Sequence, residues 1–462
     1  MAVLRLDEIA AKANGRILQG DPGLLVRDFS IDSRQIAPGG LFFAVVGKRD
    51  GHDFIPDARR AGAAAAVVSR DVRPPDRSFA LIRVEDTVRA LQELARRWLA
   101  GHPVKVVGIT GSAGKTTTKE FVAALLGVRR RVLKSEKNLN NHLGLALSVL
   151  RLSPEDEVAV LEMAMSAAGE IRTLTRIAPP DIAVITNVHP VHLEFFESLE
   201  TVALAKKEIL EGTKHGGTAV LNADDPLVRK ISADFAGRKI FFGFAPDCEV
   251  RAAAVRKSGF QGMFFELWMG GERAGMSFPF FSESSLYNLL AAAGVARAFG
   301  LRPADLAEPV SRLRPFPGRG VLMNLKRGIK LIDDTYNSNP KALESALKSL
   351  AGLSANRKIA VIADMLELGK DETVFHVRAG RQAAEAGWDL VVAVGPRSLH
   401  VAEGAAEAGM AKDRIISFAD AAEAGEGILP LLRDGDLILV KGSRGMKTEI
   451  ILEKIIGQIG GA

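Results

Sequence analysis

The sequence predicts an α/β protein of three domains, and three observations carry that expectation. The chain has 462 residues, about three times the ~150 that one domain ordinarily uses. Short apolar runs alternate with helical, Ala-rich stretches over most of its length, the rhythm of βαβ units and parallel sheets. The segment RPFPGRG at 314–320 puts two prolines and two glycines in seven residues, which breaks any helix and reads as a linker. The composition, 47% hydrophobic and 25% charged, lies near the globular average, which excludes disordered, collagen-like and coiled-coil architectures.

Taken in order, residues 1–84 carry the apolar runs LFFAVVG, AAAAVVS and ALIRV and one helical stretch, IPDARRAGA, which predict a small α/β domain. A helix over Thr87 to Ala100 leads through Gly101-His102-Pro103 into VKVVGIT, a buried-strand pattern that opens a second domain spanning 85–314. There the strands VAVLEM, IAVITNV and GTAVLNA alternate with helices. In the third domain, 315–462, the runs IKLIDD, KIAVIADM, DLVVAVG, RIISF and DLILVKG predict a doubly wound, Rossmann-like sheet. No fixed-period repeat or low-complexity tract interrupts the pattern.

Several classes of function are excluded or disfavoured early. Cys248 is the single cysteine, so neither an intramolecular disulfide nor a Cys-based zinc site can form, and a reducing compartment is expected. Asp7, Glu8 and Lys12 interrupt the apolar core that a signal peptide needs, and the longest apolar runs, such as Ala63 to Val68, fall short of the ~20 residues of a membrane span. We therefore expect a soluble cytoplasmic protein with no membrane span. The net charge of +6 suits small anions as readily as nucleic acid and argues strongly for neither.

The sharpest signal is GITGSAGKTTT at 108–118, which follows an apolar strand and opens the helical segment TTTKEFVAALL. Glycines there let backbone N–H groups close around phosphate oxygens, and the helix N-terminus adds a favourable field. Gly111, Ser112, Ala113, Gly114, Lys115, Thr116 and Thr117 are the expected nucleotide contacts. Lys115 would reach the terminal phosphates and the Thr116 hydroxyl a Mg²⁺ ion. A strict phosphate loop would have glycine at Ile109, and the nearest is Gly108. By itself this site leaves kinase, GTPase, motor and ligase open. Glu162 ends the strand VAVLE, and His192 follows IAVITNV, both beyond carboxyl ends of expected parallel strands, where open α/β sheets bind ligands. A carboxylate and an imidazole there could hold the metal that bridges nucleotide phosphates. Lys206 and Lys207 lie in the helical stretch ESLETVALAKKEIL, whose charges would ordinarily mark a solvated face.

In that order GITGSAGKTTT, KNLNNHLG, LEMAMSAAGEI, ITNVHPVHLEFFESLE, AKKEI and LNADD resemble the ATP-dependent Mur ligases, which add amino acids to the peptidoglycan precursor. Their loop has the form G-x-T-G-x-x-G-K-[ST], so the departure at Ile109 becomes a family feature. The resemblance covers essentially the whole chain. It implies a three-domain Mur ligase architecture with a central phosphate-loop domain, ATP and two Mg²⁺ ions. Thr116 and Glu162 would bind the first ion, and His192 the second together with a carbamylated Lys206. It casts Lys115, His192 and Lys206 as catalytic and Asn288 as an adenine contact, and brings Arg319 and Asp334 to ATP from the third domain.

Other parts of the resemblance concern substrates. DSRQIAPGGLFFAVVGKRDGHDFI, with Ser33 and Arg34, resembles a uridine-nucleotide-binding domain, and Asn140 and Asn141 fall in a motif expected at the substrate. IDDTYNSNP, ADMLELG and VKGSRGMKTE resemble the branch that joins D-alanyl-D-alanine to UDP-N-acetylmuramoyl-tripeptide, with Tyr336, Asn337 and Asn339 near ATP or the dipeptide. The D-N-P-R motif of the third-step ligase, the main alternative, is missing. A folylpolyglutamate-synthase-like ligase and a catalytically silent ATP-binding scaffold are further alternatives. A monomer acting on these small molecules is expected. The family pattern is broken by His189 and Ala164 in place of Gly, by Ala168 and Ala146 in place of Pro, and by SESSLYN, which lacks the usual His-Asn pair. The His189 change predicts a loop less free to adopt positive φ.

Overall fold

The computed structural model describes residues 2–136, 138–191 and 194–460. Three larger sheets, lying within 16–83, 105–278 and 321–441, organise them beside a two-stranded one, Leu4–Arg5 with Leu25–Val26. In the first sheet the strands run in the order Arg16–Gln19, Ala80–Arg83, Ala65–Val68, Leu41–Phe43, Phe29–Ser30, with only the first pair antiparallel. Its central strands are buried on both faces, which is why their sequences are unbroken apolar runs.

The helix Thr87–Ala100 is where the first two units join. Asp86 caps it by accepting the Val88 and Arg89 amides at 2.7 and 2.9 Å, and Gly101 ends it. Ala90, Leu91, Leu94, Ala95 and Leu99 form its buried stripe, recurring at the spacing of one helix face. That stripe packs on the helices Leu6–Lys12 and His142–Val149, so one apolar core runs from Leu6 and Ile9 through Leu94 to Val149 and Leu161. The first and central units therefore share a core instead of hanging on a linker.

The central sheet has nine strands in the order Glu272–Phe278, Met263–Met269, Val250–Lys257, Arg238–Gly243, Thr218–Asn222, Ile182–Ile185, Lys105–Thr110, Val158–Glu162, Val132–Lys134. Lys105–Thr110 pairs in parallel with both neighbours. After this strand the chain crosses to the far edge and returns on one side, then continues on the other. Its carboxyl end is thus a topological switch point, where such sheets open a crevice. Beyond Lys257 the sheet continues as an antiparallel meander, which a reading of the region as βαβ units alone did not include. Met263, Phe265, Leu267 and Met269 are buried and alternate with exposed Phe264 and half-buried Glu266 and Trp268, the period of a strand with one wet face. The buried face is covered by the helix Glu283–Ala298, which also packs on the phosphate-loop helix Lys115–Leu126.

Residues 313–320 are irregular, as the Pro/Gly content of the linker demands. The third sheet runs Val321–Asn324, Lys330–Asp334, Asp436–Lys441, Arg357–Ala363, Leu390–Val394, Ile415–Phe418, parallel except for the first hairpin. The helices Glu372–Glu385 and Leu399–Glu407 cross through Gly380 and Gly404. A Cβ on either would lie 1.9 Å from a carbonyl oxygen of the other helix. Among the described residues no helix is long and apolar enough to cross a membrane.

Because Leu94 is fully buried in the shared core, Leu94→Ala is expected to cost about 2–5 kcal/mol. Urea unfolding followed by circular dichroism checks this. The first and central units should shift together.

Candidate active site

A cavity of about 1190 Å³ opens between the central and third units, over the switch point. Its floor is the phosphate loop. Gly114 begins the loop helix in a left-handed conformation (φ 82°), and a Cβ there would lie 2.0 Å from Asn288 Oδ1. A Cβ at Gly111 would stand 1.8 Å from Thr186 Oγ1, so the loop lies directly on the segment after Ile182–Ile185. That segment braces it: Asn187 O and Oδ1 accept the amides of Ser112 and Ala113 at 3.0 and 2.9 Å, and Thr186 Oγ1 donates to Ala113 O at 2.7 Å. Ser112 Oγ accepts the His189 amide at 2.8 Å and donates to His189 O at 3.0 Å.

The amides of Ser112 and Ala113 are thus already engaged. The first internal bond of the helix is Thr118 N to Gly114 O, which leaves the amides at its first turn, Lys115 to Thr117, directed at the cavity as an anion site. His189 lines the cavity at negative φ, so replacing the family's glycine introduces no backbone strain.

Glu162 is 3% exposed at the end of its strand, level with Ile109 in the parallel register. Its Oε2 accepts the Thr116 hydroxyl and its Oε1 the Asn140 side-chain amide, both at 2.9 Å. Asn140 therefore serves the carboxylate. Asn141 lies outside the cavity and caps the helix His142–Val149 by accepting the amides of Leu143 and Gly144. A hydroxyl and a carboxylate in contact, beside an anion site, are a hard-oxygen donor set that fits Mg²⁺.

Lys115 folds back to donate to Gly111 O at 2.8 Å. Burial holds its ammonium below the usual lysine range, with the Glu162 charge opposing the shift and Arg319 adding to it. Lys206, on the helix Leu199–Glu211, is 2% exposed, whereas its neighbour Lys207 reaches the surface and pairs with Asp234 at 2.6 Å. The solvated face expected for both lysines is therefore found for Lys207 only, because successive helix positions point about 100° apart. Burial first, and the Lys115 charge second, push the Lys206 amine well below its ordinary value. Among the described residues it has no hydrogen bond or ion pair. His192, the expected partner in a second metal site, lies outside the described residues.

The roof comes from the third unit. Arg319 stacks on Tyr336, its guanidinium carbon 4.0 Å from the ring centre, and its Nε is buried without a hydrogen-bond partner. Asp334 Oδ2 accepts Lys441 Nζ at 2.6 Å, and the same ammonium donates to Asn337 O at 3.1 Å. Asn337 lines the cavity, its own Oδ1 accepting the Ser338 amide. Asn339 also reaches the cavity wall, but its Oδ1 caps the helix Pro340–Ala351. Asn288, 8% exposed, lies opposite Gly114, its Oδ1 3.4 Å from Thr118 Oγ1. Lys441, 3% exposed, was not among the expected residues. Its signal was available, since it ends a strand of the third sheet as Asp334 ends its neighbour. Phe280 and Lys341 also line the cavity without a sequence motif to announce them, as does Tyr287, which lies in SESSLYN. Ser33 and Arg34 lie apart in the first unit, Ser33 buried and Arg34 exposed and paired with Asp32 at 2.8 Å.

A phosphate loop on a switch point, closed over by a Rossmann-like unit, defines a nucleotide-dependent transfer enzyme, and three family models give it a name. The Mur ligase middle domain matches residues 109–296, the Mur ligase glutamate ligase domain residues 318–444, and the Mur ligase family catalytic domain residues 26–99. The chain belongs to the Mur ligase family and is an ATP-dependent ligase. It is 36% identical to UDP-N-acetylmuramoyl-tripeptide--D-alanyl-D-alanine ligase of Bacillus subtilis, over 94% of this chain and 93% of that one. To the Escherichia coli enzyme of the same name it is 32% identical over 98% and 99%. Among solved structures it superposes on MurF from Acinetobacter baumannii with a TM-score of 0.90 (27% identity, 99% of both chains). On MurF from Thermotoga maritima in complex with ADP the TM-score is 0.83 (32% identity, 94% and 98%).

A buried lysine with a depressed pKa destabilises the fold wherever the unfolded chain would hold its proton, that is, below about pH 10.4. In CO₂-free buffer, Lys206→Met is therefore expected to melt above the wild type at neutral pH. The gap should close as the pH rises toward about 10.4, as scanning calorimetry across that range would register.

Proposed function

We propose that this chain joins D-alanyl-D-alanine to the terminal carboxylate of UDP-N-acetylmuramoyl-tripeptide, converting ATP to ADP and phosphate. The observation that carries the reading is the Lys115, Thr116 and Glu162 cluster facing Arg319, Asp334 and Lys441 across one cavity. The near full-length relatives that bear this activity in their names, and the VKGSRGMKTE and IDDTYNSNP motifs, support the choice of dipeptide.

A carboxylate does not acylate an amine unaided. Transfer of the γ-phosphoryl group to a carboxylate oxygen releases ADP and makes an acyl phosphate. The dipeptide amine then attacks the acyl carbon, loses a proton, and phosphate leaves. The protein's part is positioning and charge neutralisation. Lys115 and the first-turn amides of its helix bind the phosphates, and Asn288 stands beside the loop for the adenine end. Arg319 and Asp334 contact ATP when the third unit closes on it. Thr116 and Glu162 would hold one Mg²⁺, and His192 with a carbamylated Lys206 a second. When bound, the metals neutralise phosphoryl charge. Carbamate forms when a neutral amine attacks the carbon of CO₂, and burial favours the neutral form at Lys206. Ser33 and Arg34 take the uridine nucleotide on the first unit, and Tyr336 and Asn337 meet ATP or the dipeptide on the third. The reaction runs in the cytoplasm on a monomer.

Phosphate release assayed with UDP-N-acetylmuramoyl-tripeptide and ATP is expected with D-alanyl-D-alanine and not with single amino acids. Release driven instead by a single amino acid on the dipeptide precursor would move the chain to the third-step ligases. Acceptor-independent ATP binding without turnover would make it a scaffold. Lys115→Ala should reduce release by at least about 10²–10³-fold with the fold intact. Lys206→Ala should lose activity and regain part of it with short-chain carboxylic acids. Full activity of the uncarbamylated variant would remove the carbamate.

A further inference from the structure

We infer that Lys119 is a positioning residue for Glu162: it sets the carboxylate that holds the nucleotide's metal, through Ser135. This rests on the reading of Glu162 as a metal ligand.

Lys119 is fully buried on the helix Lys115–Leu126, one turn beyond Thr116 and on the same face. A buried ammonium is costly and is retained only with strong partners. Its partners are Ser135 O, which accepts from Nζ at 2.6 Å, and Glu120 Oε1, 3.2 Å away. Ser135 is 1% exposed and stands just past the strand Val132–Lys134, the parallel neighbour of Val158–Glu162. Its amide donates to Val160 O at 3.1 Å, which continues the ladder.

In an unbroken parallel ladder the next bond would run from the Glu162 amide to the Ser135 carbonyl. Here that carbonyl is taken by Lys119, and the Ser135 hydroxyl accepts the Glu162 amide instead, at 3.1 Å. The edge strand ends one residue before Ser135, at Lys134. Asn138 lines the cavity, and Asn140 donates to Glu162 Oε1. One helix face thus holds the ends of two adjacent strands. Thr116 holds the carboxylate directly, and Lys119 holds Ser135, whose hydroxyl takes the Glu162 amide and which precedes Asn140, the carboxylate's second partner. Groups that orient a metal ligand from behind in this way typically govern metal affinity by 10–100-fold.

The test is Mn²⁺ binding to the protein·ADP complex, followed by electron paramagnetic resonance, for the wild type, Lys119→Met, Ser135→Ala and Glu162→Gln, with ADP affinity in EDTA measured alongside. Lys119→Met and Ser135→Ala are each expected to weaken Mn²⁺ binding about tenfold while metal-free ADP affinity stays within about twofold. Unchanged Mn²⁺ binding in either folded variant overturns the inference, as does an equal loss of metal-free ADP binding, which a general disturbance of the helix would produce. Should Lys119→Met not fold, Ser135→Ala, which removes one hydroxyl, decides alone. Glu162→Gln separates the two levels. If it binds Mn²⁺ as the wild type does, the metal-ligand reading of Glu162 fails. If it weakens binding while the other two do not, only the role of Lys119 and Ser135 fails.

Discussion

One buried carboxylate organises the centre of this protein. Glu162 is almost fully withdrawn from water, and each of its oxygens is held at 2.9 Å by a group from a different segment. The phosphate-loop helix supplies Thr116, the loop after the edge strand supplies Asn140, and the Lys115 charge stands near enough to be perturbed by it. These segments can meet only because the parallel register places Glu162 level with the end of Lys105–Thr110, where the sheet's connections part. A charge buried to this degree is tolerable only while its partners stay in place, so loop, strand end and helix behave as one unit.

Lys115 and Arg319 line the cavity beside that carboxylate. Beyond the burial that lowers each group most, the Arg319 charge depresses Lys115, the Lys115 charge depresses Lys206, and Lys341 and Lys206 depress His189. Arg319 keeps a buried Nε without a partner. Such a cluster is repulsive by itself and becomes favourable around a polyanion, whose phosphates satisfy the donors and relieve the repulsion together. The slight basic excess of the whole chain is a poor guide to this. What matters is that cations from the central and third units face one space.

The third unit supplies half of that arrangement, and its own polar interior explains how. Lys441 joins the ends of two adjacent parallel strands through Asp334 and also holds the Asn337 carbonyl, so the segment from Asp334 to Asn337 has a defined course over the cavity. Arg319 sits over the Tyr336 ring from the linker side. Linker and sheet are thereby coupled at the point where nucleotide would lie. Closure of the third unit would move these groups as a set.

Much of this was legible in the sequence, for reasons that are local. A strand running into glycines that accept positive φ, then into Lys-Thr-Thr-Thr and a helix, specifies its conformation within a dozen residues, and the phosphate loop has the form its letters imply. The linker and the helix Thr87–Ala100 were legible for the same reason. The meander after Lys257 was written in the alternation of Met263, Phe265, Leu267 and Met269, but a run of βαβ units before it suggested another reading. Asn141 and Asn339 illustrate a true ambiguity, since an amide side chain at a helix start suits a cap and a ligand equally.

By itself the sequence determined the inventory of chemical groups, the local conformations that present them and the family to which their order belongs. Only the tertiary structure decided which groups meet and how far water is kept from them. Thr116 and Glu162 lie 46 positions apart, and Asp334 and Lys441 lie 107 apart. Lys206 and Lys207 are adjacent and chemically identical, yet one is sealed in the core and the other reaches the surface. Contact, burial and proton affinity depend on the summed field and packing of segments distant in the chain, and no local pattern encodes them.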